Sequence, residues 1–194
     1  MRKPHHQKKV LRNLKKSSAQ TSSIKNAVSS ATEFKDLPVW KKLYIQYATI
    51  EKAKYNKYAL VYIDNDDIPE LYLYGSNTSK VLSAKGNQLI GKDLDGVGGG
   101  NYVEKSGCFM NVYAENNCLV MKIYKLDGYF SQTFYGIEDK TTSPPTYYIE
   151  DDIWAVTEEE FKDAVAQYID TSKTTFLHSN ALDYDEFVEK VTNW

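Results

Sequence analysis

Apolar residues recur at every third or fourth position just after residue 35, and this spacing is typical of one face of an amphipathic helix. Asp36 can cap such a helix, and Pro38 is tolerated in its first turn. We therefore expect a helix from Asp36 to about Lys54, with Lys41 on its polar face. The apolar stripe consists of Trp40, Leu43, Tyr44, Tyr47 and Ile50.

Runs of β-forming residues separated by turn residues follow this helix. The runs are 58–63, 71–74, 81–90 around a turn at 85–87, 108–113, 118–126, 129–135 and 147–149. Asp127-Gly128 is a strong signal for a two-residue hairpin turn. Because these strands follow one another without intervening helices, we expect a mainly antiparallel sheet made of hairpins.

Two helices are predicted near the end of the sequence. Thr157 with Glu160 fits a capping box, in which each side chain bonds the other residue's backbone N–H. Asp183 with Glu186 repeats this signal before a second apolar stripe. The predicted fold class is therefore α+β, with an N-terminal helix, an antiparallel sheet and two C-terminal helices, in a single domain over residues 36–194.

Composition separates this domain from a basic tail over residues 1–35. The chain has 194 residues, 42% of them hydrophobic, with 16 Tyr, 7 Phe and 3 Trp, which excludes global disorder. Residues 1–32 hold eight of the 24 basic side chains and none of the 26 acidic ones. We expect a disordered, Ser/Thr-rich spacer there, without an export signal, and no membrane span anywhere.

The residue types that could carry catalysis form no recognisable catalytic constellation in the sequence. The glycine-rich segment 96–100 lacks the Lys-Ser/Thr ending of a phosphate loop. Cys108 and Cys118 lie on two arms of one hairpin. If Cys118 lies opposite Tyr113, the two thiols point to opposite faces. If it lies opposite Val112, they share a face but stay four positions apart, so we expect free thiols in either register. Of the histidines, only His178 lies in the domain. Acids such as Asp151 and Asp152 fit loop positions rather than a catalytic pair. We therefore expect no enzyme.

The acidic loop over residues 64–70 is the sharpest local feature. Asp64, Asp66 and Glu70 place carboxylates at a spacing that suits Ca²⁺, a cation that prefers oxygen ligands. The alternative is a polar hairpin loop whose carboxylates cap backbone N–H groups. The sequence therefore predicts at most weak calcium binding, with no other cofactor.

The segment 58–71, Tyr-Ala-Leu-Val-Tyr-Ile-Asp-Asn-Asp-Asp-Ile-Pro-Glu-Leu, resembles a hallmark of secreted and lipoprotein-type domains of Gram-positive bacteria. In that family the run commonly reads Tyr-Ala-Leu-Ile-Asp-Ile-Asp-Gly-Asp-Gly-Ile-Pro-Glu-Leu. Residues 40–47, 102–107 and 157–161 are similar as well, so the resemblance covers about residues 38–170. It implies an envelope location and a calcium-loop-like hairpin, and it implies no enzyme.

This chain departs from the family pattern inside the loop. The first acid of the family falls on Tyr62, and the glycine of its sharp turn falls on Asp67. The distant bidentate acid of an EF-hand would fall on Leu73, which offers no ligand atom. Asp64, Asp66 and Glu70 therefore remain the candidate metal ligands.

Tyrosine is unusually frequent and falls mainly on the predicted strands. Tyr72 and Tyr74 share one face of their strand, opposite Leu71 and Leu73. If the leucine face is core, the tyrosines form a binding surface for a protein or glycan, or they pack under a terminal helix.

Three functional hypotheses follow from these features. The first is a non-enzymatic envelope or secreted domain that binds or scaffolds another macromolecule. The second is a calcium-dependent binding module that uses the acidic loop. The third is a cytoplasmic protein whose tail contacts nucleic acid or anionic lipid, although no aromatic residue interleaves the tail lysines to stack on bases, which makes nucleic acid a poor candidate.

Overall fold

A computed structural model describes residues 34–96, 99–150 and 155–194 of the chain. The predicted tail, except for its last two positions, lies outside the described residues, as do Asp151 and Asp152. Phe34 packs against the first hydrophobic cluster, so the folded part begins before Asp36.

Three α-helices and eleven strands account for most of the described residues, and every strand pair is antiparallel. The helices are α1 (Val39–Glu51), α2 (Glu158–Ala166) and α3 (Tyr184–Asn193). The strands are β1 (Lys57–Val61), β2 (Glu70–Tyr74), β3 (Ser79–Lys85), β4 (Gln88–Leu94), β5 (Gly100–Tyr102), β6 (Cys108–Glu115), β7 (Cys118–Leu126), β8 (Phe130–Asp139), β9 (Thr146–Ile149), β10 (Ala155–Val156) and β11 (Thr175–Phe176). The predicted α+β class is confirmed.

The strands form two sheets. The first sheet has four strands in the order β1-β2-β3-β4, and the second has seven in the order β10-β9-β8-β7-β6-β5-β11. Both sheets are largely meanders, because most neighbouring strands follow one another along the chain. Strand β11 is the exception, since it returns after α2 to pair with β5.

The helices α1 and α3 cover the outer face of the first sheet. Successive side chains on a strand point to opposite faces, so Leu71 and Leu73 of β2 pack on this side. Tyr44 of α1 and Phe187 of α3 complete the same cluster, and both are fully buried.

The inner faces of the two sheets pack against each other. Ala59, Val61 and Tyr72 of the first sheet meet Phe109 and Leu126 of the second. The outer face of the second sheet is covered by α2, whose buried residues contact a cluster around Ile123 and Phe134. The contacting residues of α2 are Phe161 and Val165. The layers are therefore helices, sheet, sheet and helix.

The helix α1 differs from its prediction at both ends. It begins at Val39 after Pro38, without a side-chain cap from Asp36, and it ends at Glu51. Ile50, placed in the apolar stripe, is 70% exposed. Lys41, predicted on the polar face, is buried, because its ammonium donates hydrogen bonds to the carbonyl oxygens of Thr192 and Trp194 at the end of α3.

The hairpin between β6 and β7 is tighter than expected. Asn116 and Asn117 form the turn with positive φ angles, and Glu115 pairs with Cys118. Neither expected register is correct, since Cys118 faces neither Tyr113 nor Val112. In the observed register the two cysteines lie on opposite faces, and both are free.

Candidate functional site

The acidic loop joins β1 to β2, and its aspartates bond the loop's own backbone. Asp64 Oδ1 accepts a hydrogen bond from the Asp66 N–H at 3.0 Å, and Asp66 Oδ1 accepts one from the Ile68 N–H at 2.8 Å. Each aspartate thus closes a small turn two residues on. Asp67, where the family has glycine, keeps a negative φ, so this loop requires no glycine there.

Glu70 is the first residue of β2, and its side chain is buried at 0% exposure. Its Oε2 accepts a hydrogen bond from the Ile63 N–H at 2.9 Å, and its Oε1 accepts one from Ser83 Oγ at 3.0 Å. Burial raises the pKa of Glu70 to about 7, even though the Ile63 hydrogen bond acts in the opposite direction. The carboxylate of Asp64 adds to the increase. Glu70 therefore changes protonation near neutral pH.

The structure brings the three predicted ligands together. The carboxylate oxygens of Asp64, Asp66 and Glu70 lie within 4.8 Å of one another. Three carboxylates this close repel one another unless a positive charge or a proton is shared among them.

Lys85 supplies that positive charge. Its ammonium donates to Asp64 Oδ2 at 2.8 Å and to Asp66 Oδ2 at 2.7 Å. Burial acts to lower the pKa of Lys85, but the two carboxylates raise it above its ordinary value. Burial likewise acts to raise the pKa of Asp66, and the hydrogen bond from Lys85 leaves it below its ordinary value.

Sequence reasoning missed Lys85 and Tyr44 as parts of this cluster. Lys85 is the last residue of β3, and the β2–β3–β4 meander carries it back to the loop. The Tyr44 hydroxyl donates to the Pro69 carbonyl at 2.8 Å and accepts from the Ala84 N–H at 3.1 Å. Tyr44 therefore connects α1 by hydrogen bonds to the loop between β1 and β2 and to strand β3. The only sequence signal was the predicted turn at 85–87, which places Lys85 at a strand end.

The expected tyrosine surface needs correction. Tyr72 is fully buried between the two sheets, so it offers no surface for binding, and a sheet rather than a terminal helix covers it. Tyr74 is half-buried, and its ring stacks on His178 with centroids 6.2 Å apart.

A second aromatic surface continues outward from Tyr74. His178 lies 5.3 Å from the ring of Phe176, and Phe176 is 56% exposed. We call Tyr74, His178 and Phe176 the aromatic edge. It lies at β11, the last strand of the second sheet. His178, expected only as a loop residue, is therefore part of a continuous run of rings from the core to the surface.

The remaining candidates have packing roles in the described residues. A Cβ atom on Gly100 would overlap Leu177 Cδ1, so this glycine allows close approach of two segments. Burial raises the pKa of the Cys108 thiol, and burial also raises that of Cys118. Raised thiol pKa values disfavour the thiolate form that a nucleophile needs.

Comparison of the chain with known protein families, with curated sequences and with solved structures gives no significant match. The resemblance of residues 58–71 to the Gram-positive envelope domains therefore stays a prediction. Within the described part of the chain, no helix is long and apolar enough to cross a membrane.

Proposed function

We propose that this chain is a non-enzymatic domain of a bacterial envelope or secreted protein, and that it binds a protein partner through the aromatic edge. The envelope location rests on the resemblance of residues 58–71. The binding surface rests on one observation, the exposed ring of Phe176 packed at a tilt against His178 beside the open edge of a sheet.

The aromatic edge has the chemistry of a recognition surface. Aromatic side chains bury much apolar area with little loss of conformational entropy, and they dominate the energetics of many interfaces. The ring of Phe176 contacts the ring of His178, and the ring of His178 stacks on that of Tyr74. The exposed ring is therefore preorganised for a partner.

The strand next to this surface favours a protein partner over a glycan. Thr175 and Phe176 pair with Tyr102 and Asn101 of β5, and no strand among the described residues pairs with their other side. An exposed strand edge can add an extended segment of another chain through backbone hydrogen bonds. Phe176 would then select the side chains of that segment.

Site-specific photo-crosslinking tests this proposal. The full chain carries p-benzoylphenylalanine in place of Phe176, and the matched control carries it in place of Tyr129, which is 62% exposed. We expect one discrete, protease-sensitive adduct in cells that make the protein when the probe is at position 176, and none when it is at 129. Adding His178→Ala should reduce the adduct, because Phe176 loses the ring that supports it.

Four results would contradict the proposal. Equal adducts at both positions would show non-specific contact, and no adduct at 176 would remove the protein partner. An adduct that lysozyme digestion releases would favour a glycan instead. Turnover that depends on Asp64, Glu70 or His178 would overturn the non-enzymatic assignment.

Calcium binding by the acidic loop is the second candidate function, favoured by the 4.8 Å convergence of Asp64, Asp66 and Glu70. Calcium would have to displace the Lys85 ammonium from Asp64 and Asp66. Thermal unfolding in EDTA and then in about 2 mM Ca²⁺ tests it, since a ligand that binds only the folded state raises the Tm. A rise that Asp64→Asn with Asp66→Asn removes supports a calcium module, and an unchanged Tm excludes it.

A further inference from the structure

The outer edge of β4 is the longest open strand edge among the described residues. The other strands at the ends of the two sheets are β1 with five residues and β10 and β11 with two each, whereas β4 has seven. The edge of β1 is also partly occupied, because Tyr58 exchanges backbone hydrogen bonds with Leu182 at 3.0 and 2.7 Å. An unpaired strand of this length offers a template on which another strand can pair.

Three residues of β4 direct their backbone groups away from β3. A two-residue turn at 86–87 joins the two strands, and the residues that flank such a turn form a hydrogen-bonded pair. Bonded and non-bonded positions then alternate, which leaves the N–H and C=O groups of Leu89, Gly91 and Asp93 pointing outward. The described part of the chain supplies no backbone partner for these groups. Gly91 is half-buried and Asp93 is exposed, so this edge is open to solvent.

The side chains of β4 alternate between the two faces of the first sheet. Ile90 packs in the cluster between the sheets, so Gln88 and Lys92, two positions to either side, lie on the same face. Leu89 packs on the opposite face, toward α1. Gln88 is exposed and Lys92 is half-buried. The face between the sheets therefore presents a polar, an apolar and a cationic residue in that order along the edge.

A second, antiparallel copy of β4 complements this order in one register. With a two-fold axis at Ile90, the two isoleucine side chains lie opposite each other. Gln88 of each copy then lies opposite Lys92 of the other copy, so an amide faces the ammonium. Leu89 lies opposite Gly91, and both residues point their backbone groups outward, so each such pair exchanges both of its hydrogen bonds.

The neighbouring registers fit less well. An axis at Lys92 would place two ammonium groups opposite each other, and like charges at opposite positions destabilise a strand pair. An axis at Gly91 would place the charge of Lys92 opposite Ile90. Side-chain pairs of this kind set the register of strands. The sequence of β4 therefore selects the register with Ile90 on the axis.

We propose that β4 is the interface of a two-fold symmetric homodimer, in which two copies of this chain pair their β4 strands antiparallel with Ile90 on the axis. The two four-stranded sheets then join into one continuous sheet, and each copy covers the open edge of the other. A two-fold interface uses the same surface on both copies, and β4 meets this condition because it complements itself. The aromatic edge lies at β11 of the second sheet, so this inference does not depend on the proposed function.

Sedimentation velocity of the full chain over a range of concentrations tests this interface. We expect a monomer–dimer equilibrium with a Kd on the order of 10 µM, because two paired strands bury less area than a standard interface. Gln88→Glu should lower the Kd about tenfold, since it places a carboxylate opposite each Lys92 ammonium, and Gln88→Lys should raise it about tenfold. Gln88 is exposed, so both variants should keep the fold.

The matched controls are Gln167→Glu and Gln167→Lys, at an exposed residue at the end of α2. They should leave the Kd unchanged. A wild-type chain that stays monomeric up to about 500 µM would overturn the proposal and leave the edge to a different partner. A dimer with the same Kd in Gln88→Glu and Gln88→Lys would show that the copies associate elsewhere, which also contradicts it.

Ile90→Cys tests the register itself. At a non-hydrogen-bonded position on the axis the two Cα atoms lie about 4.5 Å apart, which is within the range that a disulfide bridges. We expect oxidation to give a covalent dimer of this variant that a reducing agent separates. The wild-type chain, whose own thiols are Cys108 and Cys118, should stay unlinked under the same conditions. A folded Ile90→Cys variant that forms no covalent dimer would rule out this register.

Discussion

The ammonium of Lys85 lies 2.8 Å from the carboxylate of Asp64, one of three carboxylates whose oxygens lie within 4.8 Å of one another. The same ammonium lies 2.7 Å from Asp66. A strand outside the loop thus supplies the positive charge that the loop needs. One ammonium from within the chain thus offsets part of the negative charge of the loop, and the raised pKa of Glu70 reduces it further near neutral pH.

Lys85→Met should therefore destabilise the fold. The substitution removes the charge shared by two partly buried carboxylates and leaves them to repel each other and Glu70. We expect the free energy of unfolding to fall by about 2 kcal/mol, a value between those of surface and buried ion pairs. Urea unfolding at pH 7.5 measures it.

Lys125→Met is the control for this change, because its ion pair with Asp127 is exposed and 3.5 Å long. It should alter the free energy of unfolding by no more than about 0.5 kcal/mol. Equal stability of Lys85→Met and the wild type would show that the cluster contributes no net stabilisation.

Glu70 should make stability depend on pH between about 4.5 and 7. In the unfolded chain Glu70 loses its proton near its ordinary pKa of 4.5, whereas in the folded chain burial holds the pKa at about 7. Between these values the folded state keeps a proton that the unfolded state has lost, so stability falls as the pH rises. The full effect is about 3 kcal/mol.

Glu70→Gln should remove this dependence, because a neutral amide can still accept from the Ile63 N–H. Urea unfolding from pH 4 to pH 8 should show the variant gaining about 3 kcal/mol over the wild type at pH 8, with little difference at pH 4. The control Glu115→Gln, on an exposed residue, should show a constant difference. A Glu70→Gln difference that is independent of pH would contradict the assignment.

Features that depend on neighbouring residues could be predicted from the sequence. The hairpin of β1 and β2, the turn between β3 and β4, and the two capping boxes all rest on signals within a few residues. The structure confirms the box at α2, where the Thr157 N–H donates to Glu160 Oε2 at 2.8 Å. The α+β order follows from the sequence of these local elements.

Features that depend on distant pairing could not be predicted. Alternation shows that Tyr72 faces away from Leu71 and Leu73, but it does not show that a second sheet covers that face. The burial of Lys41 likewise depends on carbonyl groups at the end of α3, which is 151 positions away at Thr192. Asp64, Asp66 and Glu70 lie close together in the sequence, so their convergence could be predicted. Lys85, which pairs with two of them, comes from another strand and could not.

Thr157→Ala should test the capping box of α2. The Thr157 hydroxyl accepts from the Glu160 N–H at 3.2 Å, and its loss exposes a donor at the helix start. We expect a loss of about 1 kcal/mol, measured by urea unfolding. Thr142→Ala is the control, since its hydroxyl pairs only with the exposed Thr146 hydroxyl at 3.0 Å. Equal effects of both variants would show that the cap does not stabilise the fold.

Gly136→Ala tests how closely α2 packs on the second sheet. Glycine is unfavourable inside a strand, yet a Cβ atom at this position would lie 2.6 Å from Phe161 Cε2 and 2.8 Å from Phe134 Cε1. Overpacking of this kind costs about 1–3 kcal/mol, so we expect alanine to destabilise the fold by about 2 kcal/mol in urea unfolding. At a strand position with room for a methyl group, the change from glycine to alanine would stabilise the fold.

A double variant separates packing from backbone effects. Phe161→Leu removes the ring that the new methyl group would meet, so Gly136→Ala should cost less in that background than in the wild type. The coupling between contacting residues is commonly about 0.5–3 kcal/mol. If the two changes are additive, Phe161 does not restrict position 136, and the glycine has a role in the strand itself. A coupling of about 1 kcal/mol or more shows that the close approach of α2 requires glycine at this position.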